Sequence, residues 1–97
     1  PASHRAILTR MLRNLQGVYT DQQDWGRTVR CADRLLKLSP DNPDALRDRG
    51  LAYLQLGDDS GARQDLSRSL LRHPDPDDTA TIREQLIGTG AGASRLN

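Results

Sequence analysis

The amino-acid sequence predicts an all-α fold, a right-handed stack of helix-turn-helix repeats closed by one further helix. Three observations predict it. The chain matches itself at a single offset of 34 residues, pairing Leu12 with Leu46, Arg13 with Arg47, Tyr19 with Tyr53, Asp24 with Asp58, Arg34 with Arg68, Leu36 with Leu70, Pro40 with Pro74 and Asp41 with Asp75. Apolar residues recur at helical spacings of three and four. Helix stops and starts, made of Pro, Gly, Asn and Asp, fall between the periodic segments.

The elements follow in order. Ser3 caps a first helix over about 4–22, on which Ile7, Leu8, Met11, Leu12, Leu15, Val18 and Tyr19 form an apolar stripe. Asp24 caps a second helix over about 25–38, with Val29, Ala32, Leu35, Leu36 and Leu38 along it. Ser39-Pro40-Asp41-Asn42 breaks the chain, and Asn42 caps a third helix with Pro43 at its first position, where a missing N–H costs nothing. Gly57 ends that helix in the left-handed conformation. Asp58 and Asp59 open a fourth helix over about 60–72, and Pro74-Asp75-Pro76 breaks again. Asp77 or Asp78 caps a fifth over about 79–87, with Arg83, Glu84 and Gln85 toward water, and Gly88 ends it. The expected organisation is one domain over 1–88, with repeats at about 9–42 and 43–76 and a capping helix at about 78–87. A Gly/Ala/Ser-rich tail over 89–97 is expected to be disordered.

Composition narrows the function. With 97 residues the chain holds one small domain. Its net charge of +1 argues against a polyelectrolyte role. One cysteine excludes an internal disulfide framework and fits a reducing, cytoplasmic setting. No run approaches the roughly 20 apolar residues of a membrane span, and no signal peptide is visible. Thirteen of the 14 basic residues are Arg and 12 of the 13 acids are Asp, a bias read chiefly as genomic. The start at Pro1 rather than Met is expected of a fragment or processed form.

No catalytic, metal or cofactor set emerges. Cys31 falls mid-helix and reads as a small core residue rather than as a nucleophile with His4 or His73. The Asp75–Asp78 run lacks the ligand spacing of a calcium loop, and Gly88, Gly90 and Gly92 follow no strand, as a phosphate loop would require.

A period of 34 is that of the tetratricopeptide (TPR) repeat. Leu46, Gly50, Ala52, Tyr53, Gly57, Ala62, Leu66 and Pro74 stand where that pattern places its large, small, aromatic and terminating residues, with Tyr19 and Pro40 in phase one repeat earlier. Gly50 and Ala62 are expected where two helices cross closely, and Tyr53 in the gap between them. The first repeat departs more: Gln16 stands for the small residue, Gln23 for the turn Gly and Thr28 for Ala. Arg49 stands where the pattern has Leu, so it must reach water or pair with an Asp, Asp48 or Asp65 being the candidates.

The runs Leu46-Arg47-Asp48-Arg49-Gly50-Leu51-Ala52-Tyr53, Met11-Leu12-Arg13-Asn14-Leu15 and Ile82-Arg83-Glu84-Gln85-Leu86 resemble the C-terminal part of the bacterial SirB-type family. That family joins an N-terminal transglutaminase-like domain to a short TPR unit. The resemblance implies that the catalytic Cys, His and Asp lie in the domain absent here, so no catalytic residue carries over. It implies a non-catalytic interaction or scaffold module.

The expected partner surface is the concave face: Arg10, Arg13 and Asn14 on the first helix, Arg47, Asp48, Leu51, Leu54 and Gln55 on the third, with Gly17, Thr20, Asp21 and Asp44 on the same face. Arg13 and Arg47, one repeat apart, could form a basic rung that grips a carboxylate. Leu51 and Leu54 would be exposed unless covered, which suggests contact. Three partners stay open: the absent N-terminal domain, an external peptide, and, weakly, nucleic acid against the ridge of Arg27, Arg30, Arg34 and Lys37. Asp48 opposes a chaperone-type carboxylate clamp, and Asp33 dilutes the ridge.

Overall fold

The computed structural model describes residues 3–72 and 76–88. Its described residues form α1 (His4–Asp21), α2 (Trp25–Leu38), α3 (Pro43–Gln55), α4 (Asp59–Arg72) and α5 (Pro76–Leu86). Each helix packs on the next in chain order, as a stack of helical hairpins requires. The fold is all-α and TPR-like. Its fifth helix begins at Pro76, three residues before the Thr79 start expected from the sequence, because proline suits a first helical turn. His73, Pro74 and the tail 89–97 lie outside the described residues.

Four caps act where the sequence puts them, while Asp77 and Asp78, expected to cap the fifth helix, lie within α5. Ser3 Oγ accepts from Ala6 N–H at 3.1 Å, Asp24 Oδ1 from Arg27 N–H at 3.2 Å, Asn42 Oδ1 from Ala45 N–H at 3.2 Å and Asp58 Oδ1 from Gly61 N–H at 2.9 Å. Each satisfies an amide that the first helical turn leaves open. The two hairpin turns are copies of one another. Asp24 N–H donates to Tyr19 O at 2.8 Å, and 34 residues on, Asp58 N–H donates to Tyr53 O at 2.8 Å. In both, the residue before the Asp closes the helix with a positive φ: Gln23 at 57° and Gly57 at 85°. This is a Schellman stop whose last residue caps the following helix, so a helix ends and another begins with no spare residue.

Two apolar clusters hold the stack. Leu12, Leu35 and Ala45 gather α1, α2 and α3, with Leu36 and Leu38 beside them. Ala62, Leu66 and Ile82 gather α4 and α5, with Leu51, Tyr53, Leu54, Leu70 and Leu86 around them. Gly50 is where α3 and α4 approach: a methyl group there would lie 2.8 Å from Leu66 Cγ. Cys31 and Ala32 are buried, so Cys31 takes the core place expected of it. Arg83, Glu84 and Gln85 are exposed on α5.

One expectation changes, and the α1 stripe divides. Most of the stripe turns to solvent. Leu12 and Gln16 are the buried residues of α1, while Ile7, Leu8, Met11, Leu15 and Val18 stay exposed. Leu51 and Leu54 are not open, because the α4–α5 cluster packs against them.

Candidate functional site

The face formed by α1 and α3 is a chain of alternating charges. Arg13 Nη2 lies 3.6 Å from Asp44 Oδ2, and Arg47 Nη1 lies 3.5 Å from Asp44 Oδ1. Arg47 Nε donates to Asp48 Oδ1 at 3.0 Å, and Gln16 Nε2 donates to Asp48 Oδ2 at 2.6 Å. The rung that joins Arg13 and Arg47 therefore runs through Asp44, with both guanidiniums on one carboxylate. Asp44 and Asp48 bring as many negative charges as the two arginines bring positive ones. These groups line a small groove of about 170 Å³, together with Gly17, Leu35, Asn42 and Ala45. Gln16 also lines it, and Gln16 Oε1 is buried without a hydrogen-bond partner among the described residues. Arg10 and Asn14 lie further along α1, beside an open depression shared with Ala6, Thr9 and Arg13.

The first eight concave-face residues named from the sequence thus divide. Arg13, Arg47 and Asp48 meet in one network. Arg10 and Asn14 continue it along α1. Leu51 and Leu54 are half-buried against the second core cluster, and Gln55 is exposed at the last turn of α3. The sequence places Asp44 on this face without showing that it joins the two arginines, and it marks Gln16 only as the stand-in for the small residue. Asp44 carried a usable signal, lying three residues before Arg47 on the same helix. Gln16 carried none, since its contact with Asp48 depends on how α1 crosses α3.

A second network lies on the other side of α3. Arg49 grips Asp65 with two hydrogen bonds, Nε to Oδ2 at 2.6 Å and Nη2 to Oδ1 at 2.9 Å. Its Nη1 donates to Asp33 Oδ1 at 2.8 Å. The guanidinium carbon sits 5.8 Å from the centre of the Tyr53 ring. Donating to the Asp65 carboxylate holds the guanidinium still more firmly charged than usual, against the opposing effect of burial and with help from Asp33. Burial pushes the Tyr53 hydroxyl up, and the Arg49 charge opposes that. This network ties α2, α3 and α4 together.

Chemistry of the nucleophilic kind has no support in these surroundings. Burial pushes the Cys31 thiol up, outweighing the pull of Arg34 and Arg30, and a thiol held protonated is a poor nucleophile. Among the described residues no group of three or more His, Cys, Asp or Glu could hold a metal ion, and no helix is long and apolar enough to cross a membrane.

Helical hairpins with a 34-residue period, copied turns and a small residue at the helix crossing define a helical-repeat interaction protein. The chain belongs to the tetratricopeptide repeat family, whose family model matches residues 15–87. It is similar to a UPF0162 protein of Xylella fastidiosa (strain 9a5c), 56% identical over 87 residues that make up 90% of this chain and 31% of the relative. It is similar also to Protein SirB1 of Salmonella typhimurium (strain LT2), 28% identical over 88% of this chain and 32% of the relative. UPF0162 protein YchA of Escherichia coli (strain K12) matches to the same 28% and the same shares. The TPR region is of the SirB type, and the chain spans about a third of the length of the curated relatives it matches.

Proposed function

We propose that this chain is the TPR region of a larger transglutaminase-like protein, and that its work is to dock: on that protein's other domain in the cytoplasm, or on a separate protein. The observation that supports this most is the match itself, which takes in 90% of the chain but only 31% of its Xylella fastidiosa relative. A TPR segment embedded in a polypeptide more than three times its length has a neighbour of its own to pack against. The single cysteine is compatible with a reducing compartment.

Cross-linking of the full-length Xylella fastidiosa relative, read by mass spectrometry, tests the reading. Links are expected between the matched third and the remaining two thirds. A matched third that shows no such links and tumbles independently would rule out docking in cis. The peptide-binding alternative would then stand on the α1–α3 face. There the combined Arg13→Glu and Arg47→Glu change should abolish peptide capture; Arg13 is exposed but the Arg47 side chain is three-quarters buried, so unchanged helicity by circular dichroism is the control for folding.

A further inference from the structure

The helix α1 carries an apolar face that the fold does not use. Ile7, Leu8, Met11, Leu15 and Val18 are 41–55% exposed. At about 100° per residue they fall within a single arc roughly 100° wide, the width of a packing face. Scattered exposed apolar residues are ordinary, but a contiguous patch marks a contact surface. Helical-repeat stacks need a polar outer face where they end. The α5 end has one in Arg83, Glu84 and Gln85. The α1 end has the stripe instead. At its N-terminal part, Ile7, Leu8 and Met11 join Leu38 of α2, with His4 and Arg5, around an open groove of about 410 Å³, room for a large apolar side chain.

The border of this face is cationic. Residues 3–38 hold seven Lys or Arg against three Asp, while the rest of the chain holds seven against ten acids. Of those three, Asp24 pairs with Arg27 and Asp33 with Arg49. Arg30 and Arg34 form no ion pair among the described residues, and with Arg27 they flank Leu15 and Tyr19 beside the stripe. A second copy meeting this face through its own α1 would set two arginine-rich borders against each other, which is unfavourable.

We infer that the α1 stripe seats an amphipathic helix, apolar on one side and acidic along its edge, supplied by the rest of the longer polypeptide. This rests on the proposed docking in cis and names its surface: the outer face of α1 and not the concave rung. The occupant extends the stack by one helix, its apolar side chains on Met11 and Leu15, its carboxylates on Arg30 and Arg34. The relatives have over two thirds of their length outside the match from which to supply it.

Site-resolved maleimide labelling tests this. A cysteine is placed by Leu15→Cys, Arg13→Cys or Gln64→Cys in the 97-residue chain and at the counterpart positions of the full-length Xylella fastidiosa relative. The Leu15 position should label at least about tenfold more slowly in the full-length protein, and the Gln64 position at the same rate in both. Arg30→Glu with Arg34→Glu at their counterparts should restore at least about threefold of the lost rate. Slowing at Arg13 with none at Leu15 would overturn the inference and leave docking in cis standing, through the groove. No slowing at either position would overturn both. Slowing at Leu15 that the arginine changes leave untouched would overturn the acidic occupant. Protection of Leu15 in the 97-residue chain that grows with its concentration would identify a second copy and overturn the inference.

Discussion

Arg49 holds Asp65 by two parallel hydrogen bonds of 2.6 and 2.9 Å, and the Asp65 side chain is only 3% exposed. The pair joins α3 to α4 at the level where Gly50 lets the helices approach.

Breaking this pair from one side should cost more than any surface change. Arg49→Ala leaves a buried carboxylate without its cation, a loss of about 3–5 kcal/mol. A domain of this size has only about 5–15 kcal/mol in all, so the variant should unfold at much lower urea. Asp33→Ala removes the outer partner, whose side chain is 44% exposed, and should cost about 1 kcal/mol or less. Urea titrations followed by circular dichroism compare the two. Equal losses would mean that Asp65 is not the principal partner.

The Arg49 case shows how far the sequence could be read. An arginine at a leucine position had to find an acid, and Asp48 and Asp65 were the two in reach. Asp48 is the preceding residue on α3, about 100° round the helix, so it faces α1 and takes Gln16 and Arg47 instead. Choosing between them needs the crossing of α3 and α4, which no local spacing carries. The same limit explains α1. Its spacing announced an apolar face, and it has one, but Leu12 with Gln16 turned inward and the stripe turned out. Periodicity fixes which residues share a face and says nothing of which face meets the core. In the groove, the 34-residue phase placed Arg13 and Arg47 in register and the i, i+3 spacing put Asp44 beside Arg47, while the reach of Asp44 to Arg13 depends on how α2 sets α3 beside α1. The turns, by contrast, are local, and Ser3, Asp24 and Asn42 were legible as their capping residues.

Gly50→Ala tests the close approach of α3 and α4. The added methyl would meet Leu66 Cδ2 and Cγ at 2.8 Å, with Asp65 Cβ at 3.3 Å. Leu66 is fully buried and cannot swing aside. Alanine is otherwise the better helix former by about 1 kcal/mol, so a gain would be expected were there room. Overpacking costs about 1–3 kcal/mol, and a net destabilisation is the expected result. Thermal unfolding decides the sign: a raised midpoint would show the two helices to be further apart.

Stability should fall as the solution becomes alkaline. Burial raises the Cys31 thiol above its ordinary 9.0 and the Tyr53 hydroxyl above its ordinary 10.0. Each group releases its proton sooner in the unfolded chain than in the native one. The stability it contributes is therefore complete below its ordinary value and is lost as pH rises through the folded one. The slope can reach about 1.4 kcal/mol per pH unit for each group. Urea midpoints between about pH 8 and 11 should decline. Cys31→Ala should remove the earlier part of the decline and Tyr53→Phe the later part. A flat profile would show both groups to be open to solvent.

The paired turns give a substitution expected to stabilise. Gln23 and Gly57 occupy the same place in consecutive repeats, both with positive φ, at 57° and 85°. A side chain in the left-handed region costs about 1–2 kcal/mol. Glycine escapes that cost but loses about 0.5–1 kcal/mol through its freer unfolded chain. Gln23→Gly should therefore gain about 0.5–1 kcal/mol. Gly57→Gln should lose a similar amount through backbone strain alone, because nothing lies within 4 Å of a Cβ added there. At roughly 4–8 °C per kcal/mol for a domain this small, calorimetry should show the midpoint raised by about 2–8 °C in the first variant and lowered comparably in the second. A lower midpoint for Gln23→Gly would mean that the Gln23 side chain makes a contact worth more than the strain it endures.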